Sequence, residues 1–324
     1  MRKFRHLDAR SVDEAVAWLK RYGHRAHVIG GGTDLLGKIK DEILPTYPEA
    51  IINLKTIKGL DFIKEEDGML KIGALSRLHD IAVNPTVKDR YPALAMAAHR
   101  TASPNIRQMA TIGGNTCQDI RCWYYRSPRN RFPCLRKGGG RCYAIEGDNR
   151  YHSIFGGSVE GGCYAVHPSD TAPALIVLDA NIVTSHRTIK AENFIQVGVG
   201  RTTVLDRDEI MTEIQIPAPA GDTKSTFIKF AMRTSIDFPI VNCAAMITNP
   251  DGVVSSARVC LNAVYGKPYR AYNAEETIVG KAIDEPTAEA AGEASVVEAE
   301  PLRHNRYMVQ VARTLVKRAI LACS

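Results

Sequence analysis

No stretch of this 324-residue chain approaches the run of about 20 apolar residues that a membrane-spanning helix needs. The opening sequence, MRKFRHLDARSVDEA, has charges where a signal peptide has its apolar segment. Internal repeats and low-complexity tracts are also missing. We therefore expect a cytoplasmic protein that does not bind the membrane, although a folded complex could be exported together with a partner that carries the signal.

The sequence also lacks a recognisable set of acid, base and nucleophile residues that would mark a substrate site. The composition, 45% hydrophobic and 24% charged, is that of an ordinary soluble globular protein. A chain of this length can form two or three domains, each with its own core. The net charge of +7 is spread along the sequence except between Arg121 and Arg150, so we do not expect a nucleic-acid partner.

Helix and strand signals alternate along the chain and predict a mixed α+β architecture. The first unit has a helix at 11–22, capped by Ser11, and strands at 27–29 and 51–54. The second has strands at 70–72, 176–178 and 182–184, a helix near 93–99, and a helical turn followed by an edge strand within 209–217. The third has strands at 225–232, 244–248 and 253–261 and helices at 288–299 and 307–322. We predict domains at 1–56, 57–212 and 213–324, with an inserted segment at about 116–163.

The segment from Val28 to Leu35 is predicted to be a strand end, three glycines and the start of a helix. Consecutive glycines let the backbone approach an anion closely, and a helix N-terminus favours negative charge, which suits a pyrophosphate. A tight turn is the simpler alternative. A triphosphatase loop is excluded because Ile39 stands where a magnesium-binding Ser or Thr is needed, and the Rossmann fingerprint fails at Leu35.

A second glycine loop, ATIGGN, lies at 110–115, and a turn with the sequence HPSD lies at 167–170. Two separated glycine loops could hold one extended dinucleotide from both sides. In the turn, Asp170 could accept a hydrogen bond from a ribityl or ring group. Taken alone, this tetrapeptide is more typical of an ordinary turn.

In order and spacing, GGGTD, ATIGGN, HPSD, EIQIP and a later Phe-Ile-Lys at 227–229 resemble the FAD subunits of the xanthine oxidase family of molybdenum hydroxylases. The resemblance covers nearly the whole chain. It implies a two-part, PCMH-like FAD-binding region and an α/β C-terminal domain of the carbon monoxide dehydrogenase flavoprotein type. The residues that it implies at the pyrophosphate are Val28, Ile29, Gly30, Gly31, Gly32, Thr33, Asp34, Leu35, Thr111, Gly113, Gly114 and Asn115. Those nearer the flavin are Thr101 and Asp170, with Met211 and Lys229 as further members.

The eight cysteines are unevenly placed. Cys243, Cys260 and Cys323 lie among apolar neighbours and are predicted to be buried small hydrophobes. The other five lie between 117 and 163, and in a reducing compartment metal ligation suits them better than disulfides. Basic residues that could offset the charge of an iron–sulfur cluster surround them: Arg121, Arg126, Arg129, Arg131, Arg136, Lys137, Arg141 and Arg150.

Spacing alone leaves zinc and an iron–sulfur cluster open. Zinc sites usually contain a tight C-x2-4-C pair, and none occurs among Cys122, Cys134, Cys142 and Cys163. The position beside a flavin, and the aromatic run that begins at Trp123, favour redox chemistry.

The family generally joins GGN to HPSD by a short connection, whereas about fifty residues separate the two motifs here. With the segments RCWYYRSP, PCLRKGGGRC and EGDNRYHSIFG, this insert resembles that of the 4-hydroxybenzoyl-CoA reductases, and bacterial aldehyde oxidoreductases have a similar one. Both imply one 4Fe-4S cluster in addition to FAD. We predict Cys122, Cys134, Cys142 and Cys163 as ligands, because Cys117 directly follows GGN and is tied to the flavin site.

The resemblance implies an electron-transfer subunit of a 4-hydroxybenzoyl-CoA reductase, which removes a phenolic hydroxyl in anaerobic aromatic degradation. The implied partners are a large molybdopterin-binding subunit and a small subunit with two 2Fe-2S clusters, which form a dimer of heterotrimers with this chain. A ferredoxin-like protein is the implied electron donor. An aldehyde or purine oxidoreductase, in which electrons flow outward through FAD, is the alternative within the family. A zinc-containing nucleic-acid-binding module is the alternative from another class.

Overall fold

The computed structural model of the chain describes residues 1–159 and 162–324. Within these residues, helices and sheets are mixed along the whole chain, so the predicted α+β architecture is confirmed. Among them there is no helix long and apolar enough to cross a membrane.

The N-terminal unit is a small parallel sheet with helices beside it. Its elements are β1 (Arg5–Asp8), α1 (Val12–Tyr22), β2 (Ala26–Ile29), α2 (Leu35–Lys40) and β3 (Ala50–Asn53). The central strand, β3, runs parallel to both β1 and β2. The Ser11 hydroxyl accepts a hydrogen bond from the backbone N–H of Glu14 and caps α1, as predicted. The chain leaves β2 at the carboxyl edge of this sheet, the edge where α/β sheets bind their ligands.

The middle unit is built on an antiparallel sheet with the strand order β4-β5-β10-β6-β7. Its strands are β4 (Ile63–Glu66), β5 (Met69–Gly73), β6 (Asn181–Thr184), β7 (Thr188–Lys190), β8 (Ile195–Gly198), β9 (Arg201–Thr203) and β10 (Met211–Pro217). Its helices are α3 (Leu78–Val83), α4 (Pro85–Arg90), α5 (Pro92–Arg100), α6 (Pro104–Arg107), α7 (Ile112–Thr116), α8 (Thr171–Val177) and α9 (Ala191–Phe194). The pair β8 and β9 forms a separate hairpin.

The C-terminal unit packs helices against an antiparallel sheet. The sheet consists of β11 (Thr223–Phe230), β12 (Val241–Thr248), β13 (Ser256–Asn262) and β14 (Tyr269–Arg270), in that order. The helices are α10 (Tyr272–Ile278), α11 (Glu285–Ala294) and α12 (Tyr307–Leu321). Cys243, Cys260 and Cys323 are buried in the cores, as predicted.

Three secondary-structure predictions in the middle unit need correction. Residues 176–178 belong to the end of α8 and not to a strand, because all seven residues of this helix are buried and leave no periodicity to read. The strand at 211–217 is central and not at the edge, since β10 pairs with both β5 and β6. The predicted helical turn is not found, since the described residues 204–210 before this strand form no helix.

The insert between α7 and α8 contains, where the structure describes it, only short 3-10 turns at 128–130 and 135–137. Residues 160 and 161 of the insert lie outside the described residues. The insert packs against the C-terminal unit, where the side-chain amide of Asn305 donates to the carbonyls of His152 and Ser153. Ile154, buried in the C-terminal core, donates its N–H to the carbonyl of Val264.

Candidate functional site

The first glycine loop lines a cleft that we call the glycine cleft. Every residue from Val28 to Leu35 lines it, together with Thr111, Gly113, Gly114, Met211, Lys38, Cys117 and Gln118. Gly32 has a φ of +75°, a conformation that favours glycine, where the chain turns from β2 toward α2. Backbone without side chains leaves room for an anionic ligand to approach closely.

The second glycine segment is the first turn of α7 and not an open loop. The Thr111 hydroxyl accepts from the N–H of Gly114 at 3.1 Å and caps this helix. The two glycine segments touch, because a Cβ at Gly31 would lie 1.9 Å from the carbonyl oxygen of Met109. Gly31 is therefore needed for the close packing of the two backbone segments.

A second cleft, which we call the adjoining cleft, continues from the first. The two share Thr33, Asp34, Gly114 and Gln118. The adjoining cleft is also lined by Thr101, Asn115 and Asp170, and by residues 236–238. Except for Lys229, all the cofactor-binding residues predicted from the sequence thus line one of two connected clefts.

Asn115 joins two of the predicted motifs. Its side-chain oxygen accepts hydrogen bonds from the hydroxyls of Ser169 at 2.6 Å and Thr171 at 2.7 Å. These buried bonds hold the GGN turn against the HPSD turn. Asn115 therefore aligns the walls of the adjoining cleft.

Asp170 is held by groups from the C-terminal unit. One carboxylate oxygen accepts from Lys229 Nζ at 2.7 Å, and the other accepts from Asn242 Nδ2 at 2.8 Å. Burial raises the pKa of Asp170, and Lys229 offsets only part of this effect. Lys229 thus reaches the adjoining cleft through Asp170, and it also donates to the carbonyl of Arg100.

The structure brings Cys122, Cys134, Cys142 and Cys163 together around one small cavity, the cysteine cavity. Cys117 lies elsewhere: it lines the glycine cleft, and its sulfur is 4.0 Å from the sulfur of Met211. The four cysteines come from positions spread over 42 residues of the insert, so their convergence is a feature of the fold.

Backbone N–H groups near the sulfurs of the cysteine cavity favour the thiolate form. Those of Tyr125 and Tyr124 lower the pKa of Cys122, those of Lys137 and Arg136 lower that of Cys134, and that of Ala165 lowers that of Cys163. Burial nevertheless raises the pKa of Cys122 to about 12 and that of Cys163 to about 11. Thiolates at these positions therefore need a cationic occupant.

The separation of the sulfurs distinguishes between occupants. Four thiolates bound to one zinc ion at about 2.3 Å lie about 3.8 Å from one another. Within residues 1–159 and 162–324, no three cysteine sulfurs lie within 4.8 Å of one another. A cubane cluster is larger than a single ion and keeps its thiolates farther apart. The described sulfurs therefore do not have the spacing of a closed four-thiolate zinc site.

Asp119 lies between the glycine cleft and the cysteine cavity. One carboxylate oxygen accepts from Lys38 of the cleft at 2.6 Å, and the other accepts from Arg136 of the cavity at 3.1 Å. The hydroxyls of Tyr125 and Thr202 complete this buried network. Burial alone would raise the pKa of Asp119, but Lys38 and Arg136 hold it well below its usual range.

The basic residues of the insert do not all face the cysteine cavity. Arg136 lines it, with a side chain only 1% exposed. Arg121 and Arg126 instead pair with Asp34 of the glycine loop at 3.2 and 2.8 Å, and Arg150 pairs with Asp148 at the surface. Two of the eight basic residues therefore compensate the charge of Asp34 on the cleft side.

Sequence reasoning missed several of these residues. No role was predicted for Lys38, although it lines the cleft and pairs with Asp119. The signal for Asp119 was its position in GGNTCQD, between the glycine segment and Cys122. The segment 236–238, and Phe238 stacked 4.0 Å from the guanidinium of Arg121, had no local signal.

Two family models match the chain. The FAD binding domain in molybdopterin dehydrogenase matches residues 2–219, and the CO dehydrogenase flavoprotein C-terminal domain matches residues 226–323. The first match contains both clefts apart from 236–238, and it ends after β10. Fold and site therefore define a flavin-binding oxidoreductase module.

Individual proteins agree with this class. The aldehyde oxidoreductase FAD-binding subunit PaoB of Escherichia coli is 34% identical over 299 residues, which cover 89% of this chain and 88% of that protein. The carbon monoxide dehydrogenase medium chain of Hydrogenophaga pseudoflava is 28% identical over 324 residues, which cover 99% of this chain and 96% of that protein. A solved structure of carbon monoxide dehydrogenase from that organism has a TM-score of 0.78, covering 99% of this chain and 97% of that chain. The chain belongs to the FAD-binding medium subunits of the xanthine oxidase family, and it is an oxidoreductase subunit.

Gly31→Ala and Gly37→Ala form a matched pair that tests the contact between the glycine segments. We expect Gly31→Ala to lower the free energy of unfolding by about 1–3 kcal/mol and to lose FAD, because its Cβ meets the Met109 carbonyl. A Cβ at Gly37 meets nothing within 4 Å, so Gly37→Ala in α2 should be neutral or slightly stabilising. Denaturant unfolding and flavin absorbance provide the measurements. Equal FAD content in the two variants would contradict the packing role.

Proposed function

We propose that this chain transfers electrons between FAD bound in the two clefts and a 4Fe-4S cluster bound in the cysteine cavity. The observation that carries the proposal is the convergence of four cysteines on one cavity, with a single buried carboxylate between that cavity and the cleft. FAD supplies exchange of one or two electrons, and the cluster supplies exchange of one. The chain's own residues bind these groups, separate them and set their electrostatic surroundings.

The proposed binding roles follow from position. Residues 28–35 with Thr111, Gly113 and Gly114 surround the pyrophosphate, and Met211 lines the same cleft. Thr101, Asn115 and Asp170 surround the flavin end, with Lys229 fixing Asp170. Cys122, Cys134, Cys142 and Cys163 ligate the cluster.

The chain works within a complex in this proposal. A large molybdopterin-binding subunit carries the substrate site, and a small subunit with two 2Fe-2S clusters connects it to FAD, in a dimer of heterotrimers. As a 4-hydroxybenzoyl-CoA reductase, the complex takes electrons from a ferredoxin-like donor at the 4Fe-4S cluster and forms benzoyl-CoA. The resemblance of the insert supports this assignment. The 34% identity to PaoB favours a second candidate, an aldehyde oxidoreductase with the opposite direction of electron flow.

Purification of the complex through a tag on this chain tests the proposal. We expect co-purification of both partner subunits, with about one FAD and about eight irons per heterotrimer, four of them from this chain. A preparation that contains zinc and lacks this chain's iron would overturn the cluster assignment. Turnover of 4-hydroxybenzoyl-CoA with a reduced low-potential donor, compared with turnover of aldehydes with an oxidising dye, then decides between the two candidates.

A further inference from the structure

His152 contacts one of the four cysteines without lining their cavity. Its Nε2 lies 3.2 Å from the sulfur of Cys122, and the residue is only 1% exposed. The residues around the cysteine cavity include all four cysteines but not His152. The distance between Nε2 and this sulfur is that of a hydrogen bond.

The other ring nitrogen indicates which tautomer suits this position. Nδ1 is buried and has no hydrogen-bond partner within the described part of the chain. A proton on Nδ1 would leave an unsatisfied donor there and would turn the lone pair of Nε2 toward the lone pairs of a thiolate. A neutral imidazole with its proton on Nε2 avoids both costs. This tautomer donates Nε2–H to the sulfur of Cys122.

Neighbouring groups hold the ring in this orientation. The N–H of His152 donates to the carbonyl of Asn149 at 3.1 Å, and its carbonyl accepts from Asn305 of the C-terminal unit at 2.8 Å. The rings of Trp123 and Tyr124 lie beside the imidazole, with centroids 5.7 and 6.1 Å away. A fixed donor of this kind costs little reorganisation when the charge on the sulfur changes.

We propose that His152 is a positioning residue whose Nε2–H bond to Cys122 makes the 4Fe-4S cluster easier to reduce. The inference rests on the proposed cluster and goes beyond it by assigning a residue that tunes the cluster's potential. Hydrogen bonds to cluster sulfurs stabilise the reduced, more negative state and so raise the reduction potential. The backbone N–H groups of Tyr125 and Tyr124 act on the same sulfur, and His152 adds a side-chain donor that mutation can remove.

The test compares His152→Phe with His152→Gln in the purified complex. Phenylalanine fills the aromatic surroundings without a donor, whereas the glutamine amide can still donate an N–H toward Cys122. In a redox titration followed by electron paramagnetic resonance, we expect the cluster of His152→Phe to titrate at a more negative potential than wild type. His152→Gln should titrate close to wild type, and iron and FAD content should be unchanged in both variants.

Each other outcome identifies what fails. Absence of iron and sulfide from this chain in the wild-type complex would refute the proposed cluster itself. A wild-type cluster whose potential is unchanged in His152→Phe, or equally shifted in both variants, would refute the donor role of His152. Loss of iron from His152→Phe alone would also overturn it, because the residue would then be a ligand.

Discussion

If the proposed 4Fe-4S cluster is bound by the four cysteines, the Cys142→Ala variant is expected to lose it and to keep its FAD. The cluster iron of this chain should fall from about four atoms to nearly none, because three thiolates leave one iron of a cubane without its protein ligand. The flavin should remain because Cys142 lines only the cysteine cavity, and neither cleft contains it. Iron and sulfide analysis together with flavin absorbance measures both quantities on one sample.

Cys117→Ala is the matched control. Cys117 belongs to the same stretch of chain but lines the glycine cleft, with its sulfur against Met211. This variant should retain full cluster iron. Loss of the cluster from Cys117→Ala with retention in Cys142→Ala would mean that the ligand set is wrong, and loss of FAD from Cys142→Ala would mean that the insert and the clefts fold as one unit.

The parts of the fold with local signals could be predicted from the sequence. The cap at Ser11 and the turn at Gly32 depend on residues within a few positions, and the described structure has both. The helix α8 was misread because its residues are all buried, so the apolar run 176–178 looked like a strand. The second glycine segment was taken for a loop because helix capping by Thr111 competes with the usual preference of glycine for turns.

The arrangement of the candidate site depended on contacts that no local pattern contains. Asp119 is 81 residues from Lys38 and 83 residues from Thr202, and both contact its carboxylate. The resemblance to a family gave the four cysteines as candidate cluster ligands. It could not indicate that His152, on a different turn of the insert, lies against one of them.

The carboxylate of Asp119 forms ion pairs on both sides, with Lys38 of the glycine cleft and with Arg136 of the cysteine cavity. Lys38 contributes a cation from the cleft side, and Arg136 contributes one from the cavity side. Each cation is compensated by the same carboxylate, so a change at one side alters the electrostatic surroundings of the other. The network therefore bears on stability and on the electrostatic surroundings of both the glycine cleft and the cysteine cavity at once.

Asp119→Asn should be among the most destabilising single substitutions in the chain. It leaves the buried charges of Lys38 and Arg136 without their shared partner, and we expect a loss of about 3–5 kcal/mol in the free energy of unfolding. Glu289→Gln, which breaks an exposed pair with Lys317, should cost no more than about 1 kcal/mol. Denaturant titrations of the two variants at neutral pH measure the difference, and similar losses in both would contradict the role of the buried network.

The pH dependence of stability gives the network a second, independent test. Because the pKa of Asp119 is lower in the folded protein than its usual value, its contribution is fully present above the unfolded value of about 3.9 and is lost as the pH falls through the lowered value. Wild type should therefore lose stability on acidification below about pH 4 more steeply than Asp119→Asn, which has no carboxyl to protonate. The free energy of unfolding of both proteins is measured as a function of pH. If the two values fall in parallel from neutral pH to below about pH 4, Asp119 is not held in its charged form by Lys38 and Arg136.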